Sequence, residues 1–338
     1  MNGSLAGHQF SSGHDALATT ETFDAPPAAQ VEPAVELGSF SPPAAPEHDT
    51  GRLVIATFNI RYAVGRFLIS GGLLRKAGLP YNRPRPPVVA RHIATTAALF
   101  TRGRLMPRAD IIALQEADRA TARAGGHHVA RELARALAMN YAHAAMNIPR
   151  GEEPKDRQWY LDFEERIGLN DAGDTGMAVL SRLPLAAARR VDLPWTECAW
   201  RPRLALACSV RAGARALHVF NTHIDPHANV AEQLAQHEAV LAECNARRGE
   251  PTVLLGDFNT LFPKSRAATR ALLEAHGFTT PMPTGTATWR AGLLRLHADW
   301  LFVRDARVLR WGVARPLKVS DHWPVWAELE LPRGADAA

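Results

Sequence analysis

The sequence has few cysteines, and it lacks both a long apolar run and a basic N-terminal segment. Its three cysteines, Cys198, Cys208 and Cys244, are odd in number and have no metal-like spacing, which argues against a disulfide framework or a zinc site. No window reaches the ~18 consecutive apolar residues of a membrane span, and the N-terminus has no secretory-signal pattern. We therefore predict a monomer without a transmembrane segment, in a reducing, cytoplasmic setting.

Lysine and arginine are absent from residues 1–50, which carry seven acidic residues. This segment is rich in Ala, Pro, Gly and Ser, so it has too little apolar surface to offset the entropy lost on ordering. We predict a disordered acidic tail over residues 1–50 and a folded domain over residues 51–334.

The remainder of the chain is basic. Residues 51–338 hold all 39 basic residues and 27 of the 34 acidic ones, a net charge of about +12. Such a charge suits a polyanionic or phosphate-bearing substrate. The arginines are spread along the chain, however, so a general compositional bias explains the charge equally well.

Short apolar runs predict eight buried strands, and helical spacing of apolar residues predicts four helices. The strands cover residues 53–60, 110–116, 177–181, 204–210, 217–224, 252–259, 297–303 and 325–331. The helices cover residues 88–100, 127–139, 229–245 and 267–276. The third, fourth and fifth strands follow one another without a helix, which predicts an antiparallel meander within an α/β protein of mixed sheets.

Two segments fit neither pattern, residues 62–87 and 147–173. Long irregular segments in a compact domain are usually functional rims or mobile insertions. Aromatic residues in irregular segments, such as Trp195 and Trp200, could stack a base or meet a lipid. We favour the interpretation that these aromatic side chains are buried as caps over the core.

Polar side chains stand at or near the ends of most predicted strands. They are Asn59, Gln115, Glu116, Asn221, His223, Asp225, Asp257, Asn259, Asp299, Asp321 and His322. Side chains two apart on a strand share a face, so Asp257 and Asn259 are expected to point the same way. Strand ends are where α/β proteins usually place their sites, and we expect one pocket there. Asp225 is interpreted instead as part of the start of the following helix.

The residue types at these ends indicate metal-dependent phosphoryl chemistry. Carboxylates are hard oxygen ligands that favour Mg²⁺, Mn²⁺ or Ca²⁺, and a divalent ion relieves their mutual repulsion. A bound ion polarises a phosphoryl oxygen, a second carboxylate accepts the proton of the attacking water, and imidazoles and carboxamides donate to the phosphoryl oxygens. The alternative is that Asp257 and Asn259 merely form a turn after a strand.

Seven motifs carry a resemblance to a known family. They are "ATFNI", "IIALQE", "GMAVLSRLPL", "VFNTHID", "LLGDFN", "ADWLFV" and "SDHWPV". In this order, over about residues 52–332, they resemble the endonuclease/exonuclease/phosphatase, or deoxyribonuclease I-like, superfamily. The resemblance implies an α/β fold that is a four-layer α/β/β/α sandwich of two mixed β-sheets flanked by helices, with residues 51–334 as the catalytic domain.

The resemblance also implies roles for individual residues. Glu116 would be the principal ligand of Mg²⁺, or of Mn²⁺, with Asn59 close to the metal and the scissile phosphate. Asp321 would lie at the metal side of the pocket. Asp257 would be the general base that activates water, and Asn259 would orient the water and contact the phosphate.

Two histidines and an arginine complete the implied site. His322 would bind a phosphoryl oxygen and be held by Asp299. His223 would assist phosphate binding or protonation of the leaving group. Arg203 lies where family members often have an arginine near the site.

The implied activity is hydrolysis of a phosphodiester by in-line attack of activated water, with nucleic acid slightly favoured as the substrate. A phospholipid or inositol-phosphate phosphoesterase is the alternative, since Lys264 and Arg266 follow the Asp-Asn motif somewhat later than in inositol phosphatases. A phosphomonoesterase acting on a soluble phosphate and a catalytically silent phosphate-binding module are the remaining alternatives.

Overall fold

The computed structural model describes residues 30–31, 35–41, 51–65, 85–148, 167–196, 202–213, 215–315 and 317–332. Within these ranges two mixed β-sheets pack face to face, and helices cover their outer surfaces. The predicted layered α/β sandwich is therefore confirmed. None of the helices in this part of the chain has the length and apolar character needed to cross a membrane.

Fifteen strands and four α-helices lie in the described ranges. The strands are β1 (Gln30–Val31), β2 (Val35–Ser39), β3 (Arg52–Asn59), β4 (Ile111–Gln115), β5 (Asn140–Ala145), β6 (Gly176–Ser181), β7 (Leu185–Asp192), β8 (Leu204–Ala212), β9 (Arg215–His223), β10 (Thr252–Asp257), β11 (Trp289–Ala291), β12 (Leu294–Leu296), β13 (Asp299–Arg304), β14 (Arg307–Val313) and β15 (Val325–Glu330). The helices are α1 (Arg85–Arg102), α2 (Val129–Leu137), α3 (Val230–Asn245) and α4 (Pro263–Ala275).

Each large sheet has a parallel pair of strands near its middle, and in the six-stranded sheet the edge strand β1 also pairs with β7 in parallel. The seven-stranded sheet has the order β14-β15-β3-β4-β6-β5-β2, in which only β3 and β4 are parallel. The six-stranded sheet has the order β1-β7-β8-β9-β10-β13, with β9 and β10 as the central parallel pair. Strands β11 and β12 form a separate hairpin. The two central pairs carry most of the polar strand ends identified in the sequence.

Alternating side chains divide the interior into layers. In β3, Leu53 and Ile55 belong to the core between the two sheets, whereas Val54, Ala56 and Phe58 belong to the core beneath α1 and α2. Successive side chains of a strand point to opposite faces, so a strand buried on both faces is apolar almost throughout. This is why these strands were visible as uninterrupted apolar runs.

The predicted three-strand meander is wrong in its first member. Strand β6 lies between β4 and β5 in the seven-stranded sheet, whereas β8 and β9 pair in the other sheet. The strand that precedes β8 in its sheet is β7, which was not predicted. Arg189 and Arg190, together with other half-buried positions, interrupt the apolar pattern of β7.

The predicted tail is also wrong over residues 30–31 and 35–39, because β1 pairs with β7 in the six-stranded sheet and β2 pairs with β5 at the edge of the seven-stranded sheet. Val35 is buried, and Leu37 packs against the inter-sheet core. The average composition of residues 1–50 hid this short apolar alternation. Residues 1–29, 32–34 and 42–50 lie outside the described residues.

The two predicted irregular segments are described only in part. A 3₁₀ turn covers Arg61–Ala63 and α1 begins at Arg85, but residues 66–84 and 149–166 lie outside the described residues, as does Trp200. Trp195 is 46% exposed, so it is not the buried cap that was favoured in the sequence analysis.

Strand β2 is attached to the domain through the side chain of Glu36. Its carboxylate accepts hydrogen bonds from the Tyr141 hydroxyl at 2.7 Å and from Arg119 at 3.3 Å, and it lies 3.0 Å from His128 Nε2. Burial alone would raise the pKa of Glu36, but these three partners outweigh burial and lower it from 4.5 to about 2.

We expect Glu36→Gln to destabilise the protein in a pH-dependent way. The pKa of Glu36 is lower in the folded state than in the unfolded state, so its contribution is fully present above about pH 4.5 and is lost as the pH falls towards 2. Urea unfolding of both proteins between pH 7 and 3 should show a difference that shrinks on acidification. The exposed Glu274, which pairs with Arg270 along α4, provides the control Glu274→Gln, with less than about 0.5 kcal/mol of change. A Glu36→Gln effect of constant size across this range would contradict the assignment.

Candidate active site

The inter-sheet layer changes from apolar to polar at one end of the strands. In β3, Leu53 and Ile55 are followed on the same face by the buried Thr57 and Asn59. The same change occurs in β4, β9 and β10, whose last inter-sheet residues are Gln115, His223 and Asp257. The expected pocket therefore lies at this end of the layer between the sheets.

The register of β10 sets the centre of the pocket. Asp257 is paired with His223 of the parallel strand β9 on one side and with Asp299 of the antiparallel strand β13 on the other. Gly256 precedes it with a φ of 143°, and a Cβ there would lie 1.9 Å from the Thr222 carbonyl oxygen. Only glycine allows β9 and β10 to approach this closely.

Four groups surround the buried carboxylate of Asp257. Asn59 donates its side-chain amide to Oδ2 at 2.9 Å, and the backbone N–H of Asn259 donates to Oδ1 at 3.1 Å. His223 Nε2 lies 3.6 Å from Oδ2 and His322 Nε2 lies 3.7 Å from it. Asp257 is thus the group to which both sheets direct their polar side chains.

His322 is held on its far side by Asp299. Its Nδ1 lies 2.8 Å from one carboxylate oxygen of Asp299 and 3.1 Å from the other, which directs Nε2 towards Asp257. Ser320 fixes the backbone here, because its hydroxyl donates to the Asn59 carbonyl at 2.8 Å and accepts from the His322 N–H at 3.1 Å. The sequence-based pairing of His322 with Asp299 is found in the structure.

The charges in this cluster perturb one another. Burial raises the pKa of Asp257 to about 6; Asp299 adds to the rise, while His322 and the hydrogen bond from Asn59 oppose it. Burial lowers the pKa of His322, but the carboxylates of Asp299 and Asp257 outweigh burial and raise it to about 10. The neighbouring carboxylates therefore favour the protonated form of the His322 imidazole.

Asn259 reaches the pocket by a route that differs from the one expected. Strand β10 ends at Asp257, and Asn259 has a left-handed backbone with a φ of 50°, so the alternation of a strand does not apply to this pair. The amide nitrogen of its side chain donates to the Ile224 carbonyl at 2.8 Å. Asn259 lies near Asp257 because the chain turns, not because the two share a strand face.

His223 and Arg203 form the second side of the pocket. Arg203 Nη1 lies 3.1 Å from His223 Nε2, and because a guanidinium can only donate, the imidazole nitrogen accepts. Arg203 Nη2 lies 3.9 Å from the buried Asp225. The interpretation of Asp225 as a helix start is wrong, since the N-cap of α3 is Asn229, which forms a capping box with Glu232.

Glu116 and Asp321 occupy different surroundings. Glu116, buried immediately after β4 with a φ of 54°, lies 4.0 Å from His223 Nε2. Asp321 accepts from the Trp289 indole at 3.0 Å and lies 3.4 Å from Arg61 Nη1. Glu116 therefore lies at the pocket, next to His223. The contacts of Asp321 are instead with the hairpin β11–β12 and with the turn after β3.

An amide pair joins the two sheets below the pocket. Gln115 donates to Thr57 Oγ1 at 2.9 Å and to Asn221 Oδ1 at 2.6 Å. The Asn221 amide in turn donates to the carbonyls of Leu114 and Ala178, each at 2.9 Å. Asn221 belongs to the six-stranded sheet and its partners to the other sheet, so these bonds fix the distance between the two halves of the site.

One supporting residue was missed by the sequence analysis. Gln233 of α3 donates to the Asp225 carbonyl at 3.1 Å and to the Asn259 carbonyl at 3.3 Å, so it ties together the loops that follow β9 and β10. Both Gln233 and Gln236 are buried. Two glutamines one turn apart on the apolar face of a predicted helix were the available signal.

Comparison with known proteins identifies the family. A sequence model of the endonuclease/exonuclease/phosphatase family matches residues 56–322. The chain belongs to this family. Its members are phosphoester hydrolases that generally use divalent metals. No curated protein matches the chain.

Several solved structures share the fold. An endonuclease/exonuclease/phosphatase from Beutenbergia cavernae is 19% identical, with a TM-score of 0.59 over 85% of this chain and 73% of that one. Humanised TDP2 of D. rerio is 16% identical, with a TM-score of 0.53 over 83% and 99% of the two chains. ANGEL2, a 2′,3′-cyclic phosphatase, is 14% identical, with a TM-score of 0.54 over 88% and 98%.

The donor set of the pocket fits a divalent cation. Ligand atoms of Asp257, Asp299 and His322 lie within 4.8 Å of one another, and burial, with a smaller contribution from the charge of Asp299, raises the pKa of Asp257. Together with Glu116, the pocket offers three buried carboxylates. Such oxygen donors are the ligands preferred by hard divalent ions.

We expect Asn221→Ala to destabilise the protein by roughly 2–4 kcal/mol, because buried partners of its amide in the opposite sheet lose their hydrogen bonds. Denaturant unfolding measures the change. Asn140→Ala is the matched control, since the Asn140 amide also donates to two carbonyls, of Ser181 and Leu183, but lies half-exposed at one sheet, where water can replace it. Equal losses in the two variants would contradict a special role for the cross-sheet bonds.

We expect Asp299→Asn to lower the pKa of His322 from about 10, because it removes the carboxylate that contributes most to the rise. NMR titration of the histidine ring in metal-free protein measures this pKa. Asp321→Asn is the control, because Asp321 contributes less than either Asp299 or Asp257. A shift as large in the control as in Asp299→Asn would disprove the proposed pairing.

Proposed function

We propose that the chain hydrolyses phosphodiester bonds by in-line attack of a water molecule that Asp257 activates, with Mg²⁺ as the metal and nucleic acid as the favoured substrate. The observation that carries this proposal is the buried Asp257 carboxylate between Asn59, His223 and His322. Its raised pKa of about 6 leaves it ionised, yet still basic, at neutral pH, which is the range that suits a general base.

Asp257 and His322 would divide the work of proton transfer and charge stabilisation. Asn59 and the backbone N–H of Asn259 hold the Asp257 carboxylate in one orientation, so that it can accept a proton from the attacking water. Protonated His322, held by Asp299, would donate from Nε2 to a phosphoryl oxygen. Donors that are already oriented stabilise charge as it develops without a cost of reorganisation.

The second side of the pocket would bind the phosphate. Arg203 contacts His223, which lies beside Asp257. Arg203 would donate to a phosphoryl oxygen, and His223 would assist phosphate binding or, once protonated, protonation of the leaving group. Asn259 would orient the attacking water through its side-chain oxygen, which accepts a hydrogen bond, and would contact the phosphate through the second N–H of its amide, since the first is bonded to the Ile224 carbonyl. A planar guanidinium can donate two parallel hydrogen bonds to two oxygens of a phosphate.

Glu116 is proposed as the principal metal ligand, with Asn59 beside it. Asp321 would lie at the metal side, connected to the Asn59 carbonyl through Ser320. A bound divalent ion would supply Lewis-acid polarisation of the phosphoryl oxygen.

Three observations support a nucleic-acid substrate. The basic composition of residues 51–338, about +12, favours binding of a polyanion. One similar structure is D. rerio TDP2 with a single-strand DNA product, and another is ANGEL2 with adenosine-2′,3′-vanadate. The bound molecule contains a nucleoside in both structures.

Assays of single-stranded DNA, duplex DNA, RNA, sphingomyelin, inositol phosphates and a phosphomonoester, each with Mg²⁺ or Mn²⁺, test the proposal. We expect cleavage of nucleic acid that requires the metal and is lost in excess EDTA. Asp257→Ala should lower the rate by at least about 10³-fold, because it removes the general base.

The matched control is Asp192→Ala, which removes an aspartate that is 72% exposed on β7 and should leave the rate unchanged. Cleavage of sphingomyelin or the inositol phosphates alone would show that these compounds, and not nucleic acid, are the substrates. Activity that survives in Asp257→Ala or in EDTA would overturn the assignment of the site, and binding without turnover of any substrate would favour the silent phosphate-binding module.

A further inference from the structure

A second cluster of metal-ligating side chains lies outside the pocket, at the β2 edge of the seven-stranded sheet. Glu36 of β2 is paired directly with His143 of β5, and His128 precedes α2, which covers this face. One ligand atom from each of these residues lies within 4.8 Å of the other two. Strands β5 and β6 separate β2 from β4 and from the pocket.

Two glycines provide room for the rings of this cluster. A Cβ at Gly176 of β6 would lie 2.6 Å from His143 Nε2, and a Cβ at Gly38 of β2 would lie 2.2 Å from the Tyr141 ring. Any larger residue at these positions would displace the rings. Tyr141 uses the space to donate to Glu36 at 2.7 Å.

His143 has the hydrogen-bonding pattern of a metal ligand. Its Nε2 lies 2.9 Å from the Ala117 carbonyl, and since a carbonyl can only accept, Nε2 carries the hydrogen and Nδ1 has the lone pair. The side chain is buried, and Nδ1 has no hydrogen-bond partner within the described ranges. A histidine that donates one ring N–H to a carbonyl and directs the other nitrogen at a metal is the common arrangement in metalloproteins.

The other two groups complete a set of two imidazoles and one carboxylate. His128 Nε2 lies 3.0 Å from Glu36 Oε1. Two ligands of one tetrahedral ion, each about 2.0–2.2 Å from it, are about 3.3–3.6 Å apart, so this pair has to open by a few tenths of an ångström to hold the ion. This combination of nitrogen and oxygen ligands suits Zn²⁺ better than Mg²⁺.

We propose that Glu36, His128 and His143 bind a divalent transition-metal ion, best matched by Zn²⁺, which fastens β2 to β5 and α2. Binding requires the neutral His128 ring to carry its proton on Nδ1, which now accepts from the Arg131 N–H at 3.3 Å. That long bond is given up, while the bond from the His128 N–H to Glu132 at 3.1 Å still caps the helix.

Calorimetric titration of the full-length protein with ZnCl₂, in excess Mg²⁺ to saturate the pocket, tests this site. We expect wild type to bind one more equivalent of Zn²⁺ than His143→Gln, and only wild type to show the corresponding rise in Tm. Glutamine can still donate to the Ala117 carbonyl but has no ring nitrogen to offer.

The matched control is His218→Gln. His218 is likewise a buried strand histidine, and its Nε2 lies 2.6 Å from Glu250, so its replacement should leave the Zn²⁺ equivalents unchanged. If His143→Gln does not fold, Glu36→Gln provides the same comparison. Equal Zn²⁺ stoichiometry in wild type and the cluster variant would overturn the proposal, as would a lost equivalent in His218→Gln.

Discussion

The site depends on the hydrogen bonds that join the two sheets beneath it. Gln115 and Asn221 form an amide pair between the layers, and Asn221 also bonds to backbone carbonyls of the opposite sheet. Apolar contacts elsewhere in this layer are not directional, whereas hydrogen bonds between buried amides require a defined distance and angle. The pair therefore fixes the position of Asn59 and Glu116, on one sheet, relative to His223 and Asp257 on the other.

The layer between the two sheets contains both the apolar core and the candidate site, because the residues along each central strand change from apolar to polar. The burial that stabilises the apolar ends also perturbs the pKa values of the polar ends, because carboxylates removed from water are costly to ionise. Burial raises the pKa of Asp257 in this way, and the buried carboxylates of Asp299 and Asp257 in turn raise the pKa of His322 against the opposing effect of burial. The left-handed backbone at Arg61, Glu116 and Asn259, each just beyond a strand end, is a further cost that such sites commonly carry.

The sequence predicted those parts of the fold and site that depend on strands buried on both faces. Their apolar runs and polar ends are continuous in the chain, so Asp257 and His322 were identified before their neighbours were known. Strand β7 escaped notice because a half-exposed strand has a diluted pattern. The turn at Asn259 was not predicted because local alternation cannot show where a strand ends. The role of Glu36 was not predicted because its hydrogen-bond partners are distant in the chain.

Strand β2 has a consequence for association between molecules. It occupies the hydrogen-bonding groups of β5 along the edge of the seven-stranded sheet, and an unpaired edge is a template for strands of other chains. The short alternating segment at residues 35–39 thus acts as a built-in cover for that edge. A chain shortened to begin at residue 51 would retain every residue of the pocket and yet expose β5 to pairing with a second copy.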